Sequence, residues 1–118
     1  MDRLLADAGI VRNRAKIEAT IANAQAARRT AEADGSFSEL LWSFAPRRSR
    51  APRTRSDLPD TTPESIALAR ELKRRGFRFV GPTTVYAAMQ ACGLVNDHLA
   101  GCAVRVQVEA ERRALKRV

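Results

Sequence analysis

Apolar residues recur at helical spacing through most of the chain, and glycine, proline and capping residues cut that pattern into pieces. The first piece, residues 2–8, sets Leu4, Leu5 and Ala8 on one face and closes at Gly9. Asn13 is the expected N-cap of a long helix running to about Ala33, with Ile10, Ile17, Ile21 and Ala24 as its buried stripe and Gly35 as its stop. Ser36-Phe37-Ser38-Glu39 has the form of a capping box, in which a hydroxyl and a carboxylate satisfy each other's backbone amides. It opens a short helix holding Leu40, Leu41, Trp42 and Phe44, which Pro46 ends. Trp42, lying between Leu41 and Phe44, is expected to fill core space rather than stack on a base. No strand is predicted, apart from a brief alternation at Val104-Arg105-Val106-Gln107-Val108. The fold class is all-α.

The centre of the chain is the joint between two further helices. Thr62-Pro63-Glu64 begins the first, which puts Leu68 and Leu72 on one face and ends in Lys73-Arg74-Arg75-Gly76. Cations in a last turn offset the helix dipole, and glycine accepts the left-handed conformation of a C-terminal cap. The second opens at Gly81-Pro82, where a proline removes no hydrogen bond because first-turn amides have no partner within the helix. Those unpaired amides can seat a phosphate. A helix, a glycine hairpin and a second helix grip a nucleic-acid backbone in this way; the same pattern also makes an ordinary joint in a core.

Composition narrows the choice of partner. The chain has 118 residues, 45% of them apolar, enough for one small domain whose core leans on aliphatic side chains, since it has only one Trp, one Tyr and four Phe. Its 21 basic and 13 acidic residues give a formal charge of +8, which favours a polyanion: DNA, RNA or an acidic membrane surface. No apolar run is long enough to span a bilayer and no signal-peptide core is present, so the expected location is the cytoplasm. Arg47, Arg48, Arg50, Arg53 and Arg55 crowd between Pro46 and Asp57 with no acid among them, so residues 46–62 read as a basic loop, either a solvated surface run or a strip lying along DNA. Residues 103–118 read as a basic helical tail, with Arg112, Arg113, Lys116 and Arg117 offset only by Glu109 and Glu111.

Arg75-Gly76-Phe77-Arg78-Phe79-Val80-Gly81-Pro82-Thr83-Thr84 and Met89-Gln90-Ala91-Cys92-Gly93-Leu94-Val95-Asn96-Asp97-His98 together resemble the bacterial DNA-3-methyladenine glycosylase I family, of the helix-hairpin-helix superfamily. Ala8-Gly9-Ile10-Val11-Arg12-Asn13-Arg14-Ala15-Lys16-Ile17 and Leu41-Trp42-Ser43-Phe44 fit it in the same order. The likeness runs from Leu4 to Cys102. It implies that residues 1–102 are the C-terminal portion of a glycosylase-like helical domain, with the helix-hairpin-helix at about 63–92. It implies base-excision repair: flipping a 3-methyladenine nucleotide out of double-stranded, alkylated DNA and hydrolysing its N-glycosidic bond. DNA-backbone contacts then fall to Arg75, Gly76, Arg78, Val80, Gly81, Thr83 and Thr84, with Lys73 adding charge. No obligate protein partner is implied.

The resemblance also implies zinc. His98-Leu99-Ala100-Gly101-Cys102 matches the family's HxxxC pair, two of four ligands, and the i, i+4 spacing puts both donors on one helix face. The family's other two ligands, and its pocket carboxylate and aromatics, belong to an N-terminal part with no counterpart ahead of Leu4. Without the family, His98 and Cys102 read as packing residues, and Cys92 as a small buried one. Tyr86 is expected to be buried, with a backbone hydrogen bond. No catalytic residue is assigned; Asp97 is a candidate by analogy with the wider superfamily, although Asn96 and Asp97 also read as caps. Two functions stand: a glycosylase in truncated form, or a non-enzymatic DNA-backbone-binding module or inactive relic.

Overall fold

The computed structural model describes residues 1–47 and 50–115, so Arg48 of the basic loop and Lys116 and Arg117 of the tail lie outside it. Every regular element among the described residues is helical: α1 (Asp2–Leu5), α2 (Arg14–Asp34), α3 (Phe37–Ser43), a 3₁₀ turn (Arg55–Asp57), α4 (Pro63–Arg74), α5 (Pro82–Ala91) and α6 (Val104–Ala114).

Local chemistry sets these boundaries. The Asn13 side chain accepts the Lys16 amide at 3.2 Å and starts α2, and Gly35, at φ 89°, stops it. Ser36 accepts the Glu39 amide at 3.0 Å; the Glu39 carboxylate turns toward Gly35, so only the serine half of the expected box forms. Thr62 and Ser65 form the full reciprocal box at α4, each side chain accepting the other's amide at 2.9–3.2 Å.

The core lies where α4 and α5 meet α3 and the C-terminal half of α2. Leu68, Leu72, Phe77, Val85, Tyr86 and Met89 are buried there with Ala26, Leu40, Leu94 and Val95. Trp42, Phe44 and Phe37 pack against this cluster, and Phe37 stacks on Phe77 with ring centroids 5.4 Å apart. Each large aliphatic side chain sealed this way contributes about 1.5–3 kcal/mol over leaving it in water. The expected stripe on α2 is only partly right. Ile17 is buried, but Ile10 and Ala24 are exposed, and Ala19, Ala26 and Thr30 take the remaining inward places. Small side chains let α2 approach its neighbours closely, which a search for large apolar residues misses. The radius of gyration, 16.6 Å, exceeds the roughly 13–14 Å of a compact domain of this length, and Val11 and Phe79 stand in solvent.

Candidate nucleic-acid interface and metal-donor turn

The hairpin between α4 and α5 is built from its two caps inward. Gly76 takes φ 96° directly after the Arg75 cap, as expected, and an added Cβ there would sit 3.0 Å from an Arg29 nitrogen. Phe79 also has a positive φ, 58°, although it is not glycine, and its ring is 65% exposed. Something must hold that conformation. The Asn23 carboxamide does so from α2, accepting the Arg78 N–H at 2.7 Å and donating to the Arg78 carbonyl at 3.1 Å. Beyond it, the amides of Val80, Gly81, Thr83 and Thr84 donate to no group among the described residues. They lie at the positive end of α5, where Thr83 and Thr84 are exposed and Val80 and Gly81 half-buried.

The cations around this opening divide into two kinds. Arg75 is largely covered, ion-paired to Asp34 of α2 and, at 2.8 Å, to Glu71. The Arg74 and Arg75 guanidiniums hold the Glu71 carboxyl down at about 2. Arg75 therefore ties α4 to α2, with most of its charge already answered. Arg78 is exposed, its guanidinium makes no bond among the described residues, and Lys73 is exposed nearby in sequence.

The second cluster follows α5. Residues 97–103 are a non-helical turn, not the helix the HxxxC spacing suggested. The turn still brings the pair together, with Cys102 Sγ 3.8 Å from His98 Nδ1. Two such donors on one tetrahedral zinc lie about 3.6 Å apart, so the pair fits half of a zinc site. Among the described residues no three His, Cys, Asp or Glu side chains cluster to complete one. Cys92 is exposed rather than buried, standing at the C-cap of α5 on the edge of an apolar cleft that Phe37, Leu72 and Met89 also line.

Asp97 caps no helix. Its carboxylate accepts the Tyr86 hydroxyl and, at 2.8 Å, Gln90 Nε2, so Tyr86 is buried as expected but its partner is a side chain. Burial first, then that hydrogen bond, pushes the Tyr86 phenol above its usual range. Asp97 and Tyr86 line a cleft of about 520 Å³ together with Arg50 and Arg53 of the basic loop. Asp57 organises that loop by accepting the Arg53 and Thr54 amides, both at 3.0 Å, which lowers its own pKa. Asn96 is buried and serves the segment after it, its side-chain oxygen accepting the His98 amide at 3.4 Å.

Residues 1–106 match the family model described as methyladenine glycosylase. The chain belongs to that family. It is similar to DNA-3-methyladenine glycosylase 1 of Escherichia coli K12, 46% identical over 104 residues, and to DNA-3-methyladenine glycosylase of Haemophilus influenzae, 43% identical over 105. Each match covers 86% of this chain and 56% of the relative, so the chain spans little more than half the length of these proteins. Among solved structures, a crystal structure of 3-methyladenine DNA glycosylase I superposes with a TM-score of 0.78 at 46% identity, covering 86% of this chain and 57% of the other. The Staphylococcus aureus enzyme, in the structure describing its recognition of 3-methyladenine, gives 0.80 at 35% identity over 88% and 56%. The helix-hairpin-helix fold of the methyladenine glycosylases is therefore this chain's fold.

Sequence reasoning did not find Asn23, whose partner lies 55 residues away. Its one signal is a carboxamide midway along a helix rich in alanine. Nor did it find the role of α6, which docks by polar side chains.

Proposed function

We propose that this chain grips the backbone of double-stranded DNA and serves base-excision repair of alkylated adenine, as the DNA-binding portion of a 3-methyladenine glycosylase. The observation that carries the reading is the row of amides at Val80, Gly81, Thr83 and Thr84, unpaired among the described residues, on an Asn23-braced turn within a methyladenine glycosylase fold. One phosphate accepts from those amides, Gly76 gives the turn its shape, and Arg78 supplies the charge. Lys73 adds to the field, whereas Arg75 contributes mainly through the fold, since Glu71 and Asp34 already hold it. Arg50, Arg53 and Arg55 extend the positive surface and suit a longer polyanion. The net charge of +8 supports the same partner.

His98 and Cys102 supply two zinc ligands in this reading, and the cytoplasm is the compartment assigned to it. Excision of 3-methyladenine is the activity in the relatives' names; no residue here is assigned to bond breaking, and Asp97, engaged by Tyr86 and Gln90, is read as a tether. The test is binding of the full chain to methylated and unmethylated duplexes across a salt series, with release of 3-methyladenine assayed beside it. Binding that weakens steeply with salt supports the backbone grip, and no binding at low salt overturns it. Release of free base would make this chain a complete catalyst, and Asp97 the first residue to replace. Binding without release leaves a DNA-backbone-binding module.

A further inference from the structure

Helix α6 begins inside the family match, which ends at residue 106, and most of it lies beyond. Its residues Arg105, Glu109 and Arg112 are spaced i, i+4 and i+7, so they share one face. That face is turned toward the protein, while Val106 on the other side is 78% exposed. This inverts the usual arrangement, in which the apolar stripe is covered and the charged one solvated.

The charged face meets a stretch of backbone that cannot satisfy itself. The segment from Leu94 to His98 follows α5 without joining a helix or sheet, so its carbonyls need outside donors. Arg105 Nη1 donates to the Asn96 carbonyl at 2.7 Å and to the His98 carbonyl at 2.8 Å. Arg112 Nη2 donates to the Leu94 carbonyl at 3.0 Å. Asn96, only 1% exposed, returns the contact, its Nδ2 donating to the Arg105 carbonyl and to Glu109 Oε2, each at 3.1 Å. Glu109 also pairs with Arg112 at 3.3 Å, and the Asn96 hydrogen bond, followed by Arg112, lowers its pKa. The Ala100 amide donates to the Pro52 carbonyl of the basic loop at 2.7 Å. The His98–Cys102 turn is thus tied at its start by Arg105 and at its middle by Pro52.

We propose that α6 is an intramolecular brace whose Arg105, Glu109 and Arg112 fix the Leu94–His98 segment, and with it the backbone that presents the His98 donor to Cys102. The proposal rests on the donor-pair reading above for its choice of metal probe; the brace itself is read without metal. Charged donors to otherwise unpaired carbonyls are among the stronger hydrogen bonds, and one guanidinium bridging two of them fixes their separation.

The test compares the full chain with Arg105→Ala and with Arg105→Lys, which keeps the charge but loses the planar fork, and so remains informative if the alanine variant does not fold. Val106→Ser on the exposed face is the control. In EDTA, the wild-type chain should keep its Tm, whereas both Arg105 variants should lose about 5 °C and exchange the amides of residues 96–99 roughly tenfold faster. Cobalt(II) titration, followed by its thiolate absorption, should show at least about tenfold weaker binding in the Arg105 variants, because the pair must then be ordered by the ion. The control should match wild type throughout. Equal losses of Tm in EDTA by wild type and variants would overturn the proposal, as would unchanged exchange at residues 96–99 in Arg105→Ala. If wild type binds no cobalt, the donor-pair reading fails, and the exchange data alone decide the brace.

Discussion

The hairpin at residues 76–84 and the turn at residues 94–102 flank the same helix, α5, and use their backbone in opposite ways. In the hairpin, the stabilising contacts come from α2. Asn23 holds Arg78, and the amides of Val80, Gly81, Thr83 and Thr84 have no partner among the described residues. In the turn, side chains from α6 occupy the carbonyls, and buried Asn96 knits the two together. An open backbone on a braced frame is suited to an external partner; a closed one is suited to holding geometry. Substitutions should therefore sort by region, with binding affected at one and stability at the other.

The sharpest break in that comparison is Asn96→Leu. It strips the hydrogen bonds from Glu109 and the Arg105 carbonyl in a buried setting, and should lower stability by about 2–4 kcal/mol, read by urea unfolding. Asn23→Ala is next and tests whether the hairpin truly depends on its brace from α2. Losing both bonds to Arg78 should cost about 1–2 kcal/mol of stability and weaken duplex binding about tenfold, measured by anisotropy. Arg78→Ala should leave Tm unchanged and lower affinity several-fold, reducing the salt slope by roughly one phosphate contact. If Arg78→Ala destabilises the fold instead, the division between the two regions is wrong.

The smallest effect is in acid. Glu71 is held at about 2, below its usual 4.5, by Arg74 first and Arg75 second. A depressed carboxylate stabilises the fold fully above its unfolded pKa, and that contribution is lost as the pH falls through 4.5 toward 2. Glu71→Gln should therefore flatten the acid limb of a stability-against-pH curve while barely changing duplex affinity at pH 7.

The caps were legible because each is a local sequence event. Asn13, Ser36, Thr62, Gly35 and Gly76 all stop or start helices where their chemistry says they should. The hairpin was legible for the same reason, with Gly76, Gly81 and Pro82 at the required places. Three features were not. Val104 to Val108 alternates like a strand, and the helical tail expected at 103–118 forms there as α6; its docking was not legible, because Arg105, Glu109 and Arg112 find their partners only on the folded Leu94–His98 segment. The His98–Cys102 spacing suggested a helix face, but the segment is held as a turn by Arg105 at its start and Pro52 at its middle. The burial of α2 runs through Ala19, Ala26 and Thr30, whose small size matters only against a neighbour that no local pattern reveals.

The most direct test of the backbone grip is an amide-resolved NMR titration of the full chain with a short unmethylated duplex at low and at raised salt. The account predicts the largest shifts at Val80, Gly81, Thr83 and Thr84, vanishing as salt rises, with the amides of residues 94–99 unmoved. Shifts centred on the Leu94–Cys102 segment, or none at the hairpin at low salt, would contradict it.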